Sequence, residues 1–340
     1  MMESRPDLSI IIVNRNTRDL LEACLRSIIP PPDTVTAETI VVDNASNDGS
    51  VEMVRRDFPD VQLIANDTNT GFAYPNNQGL AISAGRYVLL LNSDTMVQPH
   101  ALERLVAFMD DHPGAGACGP MLRYPDGRLQ PSSFNFHSPW RAFCDFSGLG
   151  TLFPRSRLFG NQQRAFDHQR TGKVEAPMGA ALLVRREVVE TVGGLDERFR
   201  IHSNEIDWCY RMQRAGWDRY FVAEAEVVHH LGGTLRTENE GFRLQGEMLQ
   251  NLFDYHRKHY GSVGLAWFRL WLGVGFGARM LWYPIRNWIR PSAAGRRLAR
   301  VAPLMVRAAW SGAPAGFSAP TEDEAFDYPP RPIAATKNGG

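Results

Sequence analysis

The chain has 340 residues, roughly twice the length of a common single domain, which leaves room for one large domain or a domain with an appendage. It is 44% hydrophobic and 22% charged, an ordinary composition for a globular protein with a sizeable core. Lys plus Arg and Asp plus Glu both number 37, so the chain lacks the basic excess of a general nucleic-acid-binding protein. The four cysteines form no CxxC pair, which argues against a disulfide framework or structural zinc site and favours a cytoplasmic protein with reduced thiols.

The first 120 residues alternate between strand and helix patterns. The N-terminal apolar run lacks the basic region and cleavage site of a signal peptide, so it is expected to be a strand. Apolar, β-branched runs predict strands at 8–13, 39–43, 61–66, 87–92 and 115–120. Helical spacing predicts helices from Thr17 to about Ile28, from Ser50 through Phe58, over 76–84, and from Pro99 to about Asp111. This alternation predicts an α/β fold with a doubly wound, mostly parallel sheet.

Polar residues follow the predicted strands at the edge where such sheets bind ligands. They are Asn14, Asn16, Asp43, Asn44, Asn92 and Asp94. Because the carboxyl ends of parallel strands meet at one edge of the sheet, these residues are expected to form the binding site.

The pattern weakens from 121 to 172, where Asp126-Gly127 predicts a hairpin, and order returns from about Val174. A polar helix is predicted over about 237–259, followed by a segment in which arginine and tryptophan flank apolar residues. Its longest uncharged run, Leu270 to Ala278, is far shorter than the roughly 18 residues of a membrane-spanning helix. Eight arginines and no acidic residue occur from Arg269 to Arg307, which favours a helix on a membrane surface. A helix packed on the domain is the alternative, and a disordered tail is expected over 311–340.

Four stretches, in this order, resemble glycosyltransferase family 2, in its bacterial rhamnosyltransferase-like branch. They are "SIIIVNRN" with "IVVDNASNDGS", "NTGFAYPNNQGL", "LLLNSDTMV", and "GAALLVRREVVETVGGLDERF" continuing to "NEIDWCYRMQRAGW". The resemblance implies a GT-A domain over 1–235, with a nucleotide-binding half at 8–120 and an acceptor-side half at 121–235, and a helical extension over 236–310. It also implies inverting transfer of a sugar from a nucleotide diphosphate donor to an acceptor hydroxyl.

The resemblance implies a donor site along the strand ends and the 69–79 segment. Asp43 matches the aspartate that holds the nucleoside, and its alternative role is to accept hydrogen bonds from turn amides. Asn44 and Ser46 are expected to form the turn. The other residues expected to bind the nucleotide sugar are Asn14, Asn16, Asn69, Gly71, Asn77 and Asn92.

"NSD" matches the metal-binding position of the family, with Asn92 in place of the first carboxylate. Asp94 is then expected to bind Mg²⁺ or Mn²⁺, and one aspartate suffices where substrate phosphates supply further ligands. His229 or His230 is expected to reach the metal or the diphosphate, and His230 is the preferred metal ligand.

"SNEIDWCYR" matches the acidic helix start that carries the family's catalytic base. Glu205 occupies the base position, and helical spacing places it on one face with Trp208, Cys209 and Met212. Asp207 is the second catalytic candidate, although a surface ion pair with Arg211 is the alternative.

The resemblance leaves the donor as dTDP-rhamnose or a UDP-sugar, and the acceptor as a saccharide or lipid-linked saccharide of cell-surface polysaccharide or glycolipid synthesis. No nucleic-acid partner is expected. Two other classes of protein could also carry these carboxylates, but each leaves some of the matched residues without a role. A glycoside or phosphoester hydrolase would not need Asp43 or the 69–79 segment, and a non-catalytic nucleotide-sugar-binding protein would not need an acidic residue at Glu205.

Overall fold

A computed structural model of the chain describes residues 5–32, 34–156, 158–159, 166–199, 203–230, 238–289 and 303–311. The tail predicted over 311–340 lies outside the described residues apart from Ser311, and so does 290–302 of the basic segment.

The described residues form twelve strands and nine named helices. The strands are β1 (Leu8–Asn14), β2 (Ala37–Asn44), β3 (Gln62–Asn66), β4 (Tyr87–Asn92), β5 (Thr95–Val97), β6 (Ala115–Arg123), β7 (Leu129–Gln130), β8 (Ser133–Phe134), β9 (Gly172–Lys173), β10 (Ala176–Pro177), β11 (Ala181–Arg185) and β12 (Asp218–His229). The helices are α1 (Arg18–Ile28), α2 (Ser50–Asp57), α3 (Ala73–Ile82), α4 (Ala101–Asp111), α5 (Pro139–Ser147), α6 (Leu149–Leu152), α7 (Arg186–Val192), α8 (Asn204–Arg214) and α9 (Glu238–Ile289). Residues 303–311 are also helical.

The main sheet has the strand order β3-β2-β1-β4-β11-β6-β12-β5, with β7 beside β6 and β9 beside β12. Strands β3, β2, β1 and β4 pair in parallel, as do β6 and β12. The prediction of a doubly wound, mostly parallel α/β sheet is confirmed. β11 pairs antiparallel with both β4 and β6, so it separates two strands that follow each other in the predicted series.

Helices cover both faces of the sheet, which is why the central strands are apolar on both sides. Alternate residues of β1 enter different cores: Ile10 and Ile12 pack with α1 and α4, and Ile11 packs with α3, α7 and α8. Gly79 allows α3 to approach β1 closely, because a β-carbon there would lie 2.5 Å from Cγ2 of Ile11. The predicted hairpin at Asp126-Gly127 joins β6 to β7, and Gly127 has a φ of 79°.

α9 contains a break at Gly261, whose φ is 64°, close to the end of the predicted polar helix. Before the break, Tyr255 belongs to the core that α8 shares with the sheet. After it, a buried face that includes Phe268 and Leu272 packs with α5 and with 303–311. The extension is therefore packed on the rest of the chain along this face. None of the helices in the described ranges has the length and apolarity needed to cross a membrane.

Candidate active site

A hydrogen-bonded chain of polar side chains crosses the carboxyl ends of β2, β1 and β4. Asn14 and Asp43 are register partners, and Nδ2 of Asn14 donates to Oδ2 of Asp43 over 3.0 Å. Thr17 donates from Oγ1 to Oδ1 of Asn14 over 2.7 Å, and its Oγ1 lies 2.9 Å from Oγ of Ser93. Thr17 stands at the start of α1 but makes no side-chain cap bond there. The predicted gathering of strand-end residues at one edge is therefore present in the structure.

Asp43 also holds the turn that follows β2. Its Oδ1 accepts a hydrogen bond from the amide of Ser46 over 2.8 Å, as in the alternative turn role. Asn16 has a φ of 52°, and its Oδ1 accepts from the amide of Asn47 over 2.8 Å. Both residues line the strand-end edge while they fix its loops, and their contact with a nucleoside stays a prediction.

Asn44 organises the start of the 69–79 segment through its side chain and not the turn that follows β2. Its Nδ2 donates to Oδ1 of Asn69 over 2.8 Å and to the carbonyl of Gly71 over 2.7 Å. Gly71 has a φ of 92°, a conformation that favours glycine. Asn69 and Gly71 are therefore held beside the end of β2, the strand that also carries Asp43.

Asn77 does not point toward this edge, and its prediction as a nucleotide-sugar ligand is not supported. Its Nδ2 donates to the carbonyl of Leu195 and to Oε1 of Glu197, each over 2.9 Å, and its Oδ1 accepts from the amide of Leu195 over 2.9 Å. The side-chain amide is thus committed to the loop after α7. Asn77 and Gly79 are two residues apart on α3 and therefore lie on opposite sides of the helix. Gly79 faces β1, so Asn77 faces the loop after α7.

His229, and not the preferred His230, is the histidine whose ring reaches Asp94. Nε2 of His229 lies 3.3 Å from Oδ1 of Asp94, and both side chains are buried. The pairing of β12 with β5 places His229 opposite Thr95. His230 contacts Asp94 through the backbone, where its amide donates to the Asp94 carbonyl over 2.9 Å. Because successive side chains of an extended chain point to opposite sides, the prediction of His230 as metal ligand is corrected to His229.

Gln130, which was not predicted as a site residue, contacts the ring nitrogen of His229 that is not next to Asp94. Its Oε1 lies 3.2 Å from Nδ1 of His229, and the Gln130 side chain is buried. A polar partner on the second ring nitrogen fixes the ring orientation of a metal-binding histidine. The only sequence signal was the hairpin at Asp126-Gly127, which returns β7 to the sheet beside β6.

The Asp94–His229 pair fits two adjacent ligands of one divalent cation. Ligands at right angles and about 2.1 Å from a metal lie about 3.0 Å apart, close to the observed 3.3 Å. Among the described residues, no group of three or more His, Cys, Asp or Glu side chains could hold a metal ion. The remaining coordination positions of a cation at this pair would therefore fall to phosphate and water.

Glu205 lies in the first turn of α8, beside the segment that leads into β11. A β-carbon at Gly179 would lie 3.5 Å from Cδ of Glu205, so the carboxyl group packs directly over that glycine. The neighbouring Ala180 carbonyl accepts from the amide of Asn92 over 2.9 Å, which places Glu205 close to the end of β4. Burial raises the pKa of Glu205 above its usual value, and no other described residue donates a hydrogen bond to its carboxylate.

Glu205 lies on the predicted face of α8. The other members of that face, Trp208, Cys209 and Met212, are all buried in the core.

Asp207 lies on a different side of α8 from Glu205. It is fully buried, and its carboxylate accepts from Arg211, Lys258 and His259 at 2.8, 2.6 and 2.7 Å. The expected surface pair with Arg211 is therefore a buried cluster. This geometry does not support Asp207 as the catalytic base.

Two surface cavities lie away from these residues, one beside Pro30 and Val97 and the other beside Arg5 and Arg186. Neither is lined by a residue of the strand-end site. Hydrogen-bonded strand ends, a buried Asp–His pair and an unpaired carboxylate together make the strand-end edge the better candidate.

Comparison with known proteins gives one family match and several partial relatives. The family model described as Glycosyl transferase family 2 matches residues 9–193, more than half of the chain. An N-acetylglucosaminyl-diphospho-decaprenol L-rhamnosyltransferase of Mycobacterium tuberculosis is 31% identical over 206 residues, which cover 56% of this chain and 66% of that protein. The O-antigen biosynthesis protein RfbC of Myxococcus xanthus is 26% identical over 243 residues, which cover 68% of this chain and 18% of that protein. The chain thus spans just under two thirds of the first relative and a small part of the second.

A solved structure with a similar fold is a mannosyltransferase of Pyrobaculum calidifontis in complex with GDP-Man and Mn²⁺. It has a TM-score of 0.55 at 17% identity, and the superposition covers 90% of this chain and 86% of that chain. This likeness identifies the fold as GT-A.

Proposed function

The chain belongs to glycosyltransferase family 2, and from that premise we propose that it transfers a sugar, with inversion, from a nucleotide diphosphate donor to an acceptor hydroxyl. The single observation that carries the proposal is the arrangement of the strand-end edge. Asp43 and Asn14 lie at the β2 side of this edge, and the Asp94–His229 pair follows β4. Glu205, whose carboxylate accepts no hydrogen bond from another described residue, lies close to the end of β4.

The donor lies along this edge in the proposal. Its nucleoside contacts Asp43, beside Asn14 and the segment of Asn69 and Gly71. Asn92 completes the donor contacts next to the diphosphate. Asp94 and His229 hold Mg²⁺ or Mn²⁺, which when bound supplies positive charge for the departing nucleoside diphosphate. A nitrogen ligand favours Mn²⁺ of the two, since Mg²⁺ prefers oxygen ligands.

Glu205 acts as the general base in the proposal. It accepts the proton of the acceptor hydroxyl while the acceptor oxygen forms its bond to the anomeric carbon and the bond from that carbon to the diphosphate oxygen breaks. Attack from the face opposite the leaving group inverts the configuration. Burial raises the pKa of Glu205, which makes the carboxylate a stronger base than an exposed glutamate.

The proposed acceptor is a lipid-linked saccharide, by analogy with the rhamnosyltransferase of Mycobacterium tuberculosis, whose name gives a diphospho-decaprenol substrate. The proposed donor is dTDP-rhamnose, with UDP-sugars as the second candidate. The products then belong to cell-surface polysaccharide or glycolipid synthesis.

A membrane-surface position is part of the proposal and rests on the second part of α9. Nine large apolar side chains of the described residues are exposed there, and seven of them follow helical spacing. These seven are Val263, Trp267, Leu270, Val274, Leu281, Ile285 and Trp288, and the other two are Met280 and Trp282. Arginines without acidic residues accompany them from Arg269 to Arg307, which suits anionic lipid headgroups. The same helix therefore uses one face for packing and the other for lipid.

Liposome cosedimentation tests this position. The double variant Leu281→Glu, Ile285→Glu should lose binding to vesicles that contain phosphatidylglycerol. The control Ile82→Glu changes an apolar residue of similar exposure on α3 and should bind as the unaltered protein does. Equal binding by both variants would contradict the proposed membrane face.

The transfer reaction is tested with a panel of nucleotide sugars and N-acetylglucosaminyl-diphosphoryl-polyprenol as acceptor, in Mg²⁺, Mn²⁺ or EDTA. The expected result is a glycosylated lipid product with dTDP-rhamnose that requires the divalent cation. Release of free sugar without a glycolipid product would favour the hydrolase alternative. Donor binding without either reaction would favour a non-catalytic binding protein.

A further inference from the structure

A buried charge cluster joins the helix of Glu205 to the C-terminal helix. Lys258 of α9 lies 2.6 Å from Oδ1 of Asp207 on α8 and 2.7 Å from Oδ2 of Asp196 in the loop after α7. His259, the next residue of α9, lies 2.7 Å from the same Oδ1 of Asp207. Asp207 is fully buried and Asp196 largely so, which makes Lys258 the cation shared between two segments of the acceptor-side half.

Arg211 completes the cluster with contacts inside the acceptor-side half of the chain. Arg211 donates to Oδ2 of Asp207 over 2.8 Å, and also to the carbonyls of Val192 and Gly194 over 2.8 and 2.6 Å. α8, the loop after α7 and α9 therefore meet at one carboxylate, and α9 is the one of the three that belongs to the C-terminal extension.

The protonation state of Asp207 follows from these donors. Burial by itself would raise the pKa of Asp207, but the hydrogen bonds from His259 and Lys258 and the charge of Arg211 outweigh it and lower that pKa. Asp207 is therefore a carboxylate near neutral pH, and Nε2 of His259 is the donor in their hydrogen bond. Removal of Lys258 would leave Asp207 with Arg211 and Asp196 with Arg198, but it would take away the one charge that joins the two carboxylates to α9. Loss of a cation from a buried charge cluster is costly in a protein interior.

Glu205 depends on α8 for its position. Its carboxylate has no hydrogen-bond donor from another described residue, so no side chain holds it directly. Residues two apart in a helix are about 200° apart around the axis, so Asp207 anchors the side of α8 opposite Glu205. The first turn of α8 has no side-chain cap bond at Ser203. Asp207 anchors that turn on one side, and Trp208, whose Nε1 donates to the carbonyl of Gly193 over 2.8 Å, holds the next residue.

We infer that Lys258 and His259 are positioning residues of the transferase site: through Asp207, the C-terminal helix sets the rotation of α8 and with it the place of Glu205. This inference rests on the proposed function, in which Glu205 is the base. It makes the extension part of the catalytic machinery as well as a surface for lipid. Sub-ångström placement of a base matters, because a misplacement of about 1 Å can cost about a hundredfold in rate.

The test compares Lys258→Met with Lys258→Arg, using dTDP-rhamnose and N-acetylglucosaminyl-diphosphoryl-polyprenol. Lys258→Met should lower kcat by about tenfold or more with little change in the KM for donor, whereas Lys258→Arg, which keeps the charge, should recover most of the loss. Arg86→Met is the matched control. Arg86 also joins two carboxylates, Asp7 and Asp110, but lies at the opposite end of β4.

A double-variant cycle separates positioning from general stability. In the Glu205→Gln background, Lys258→Met should cause little further loss of kcat, because the group that it positions is already gone. The inference would be overturned if the losses of kcat in the two single variants multiplied in the double variant. It would also be overturned if the kcat of Lys258→Met stayed within about twofold of that of the unaltered protein, or if Arg86→Met lost as much kcat as Lys258→Met.

Hydrogen exchange gives a readout that needs no donor. Amides of residues 203–210 in the full chain should exchange faster in Lys258→Met than in Lys258→Arg or Arg86→Met, and equal exchange would overturn the inference. If the unaltered protein does not turn over dTDP-rhamnose, the proposed donor fails while the exchange result still decides whether α9 holds α8. If Glu205→Gln retains full turnover, the base assignment fails and the positioning role falls with it.

Discussion

Nε2 of His229 lies 3.3 Å from Oδ1 of Asp94. β12 therefore places a ring nitrogen beside the carboxylate that follows β4. The contact depends on register, because His229 is opposite Thr95 and not opposite Met96. Gln130 holds the other ring nitrogen. Both ring nitrogens of His229 thus have a polar neighbour, which fixes the orientation of the ring.

His229→Ala should weaken Mn²⁺ binding in the presence of dTDP by at least about tenfold, because one of two protein ligands is lost. His230→Ala is the matched control, since His230 contacts Asp94 through its backbone amide, which the substitution keeps, and it should bind Mn²⁺ as the unaltered protein does. Calorimetric titration of Mn²⁺ measures both. A larger loss in His230→Ala than in His229→Ala would restore the original assignment.

Asp94→Ala should abolish metal-dependent transfer, because it removes the only carboxylate of the pair. Asn92→Ala should only weaken transfer, since no described residue accepts or donates a hydrogen bond at the Asn92 side chain and its backbone bond to Ala180 is kept. Initial rates over a Mn²⁺ series measure the difference. Equal losses in the two variants would mean that Asn92 is itself a metal ligand.

Asn77→Ala should lower stability and leave donor affinity unchanged. The variant loses three hydrogen bonds to Leu195 and Glu197, at a net cost of about 1 kcal/mol or more in the free energy of unfolding. Asn69→Ala also loses hydrogen bonds, from Nδ2 of Asn44 and the amide of Gly71, but it should differ in weakening donor binding. Thermal unfolding and donor titration of the two variants test this contrast. Weaker donor binding in Asn77→Ala alone would return that residue to the nucleotide site.

The acid limb of the pH profile of kcat/KM should lie above the ordinary glutamate value of 4.5, because burial raises the pKa of Glu205. Only the carboxylate can accept a proton, so activity is lost as pH falls through this raised pKa. Glu205 also makes folding less favourable as pH rises, since its charged form is the one that burial disfavours. Steady-state rates across the acid range measure the limb, and a limb at or below 4.5 would exclude Glu205 as the group that titrates.

The sequence predicted the parallel half of the sheet because apolar, β-branched strands and amphipathic helices have distinct periodicities. It also predicted that Asn14 and Asp43 would meet, since strand ends of a parallel sheet share one edge. It did not predict β11 between β4 and β6, because periodicity identifies a strand but not its direction or its neighbours.

The site residues that were missed or misassigned depend on tertiary contacts. The choice between His229 and His230 depends on the register of β12, which shifts twice along β6. The role of Asp207 depends on Lys258 and His259, which lie on another helix far along the chain. Asn77 lies in a segment with other asparagines, and its contacts with Leu195 and Glu197, which the sequence does not show, distinguish it from them.

The most direct test of the account is transfer by Glu205→Gln, which removes the base and preserves the shape of the side chain. The variant should bind dTDP-rhamnose and Mn²⁺ as the unaltered protein does, while kcat for transfer to N-acetylglucosaminyl-diphosphoryl-polyprenol should fall by about a hundredfold or more. Donor binding and turnover that both survive the substitution would contradict it.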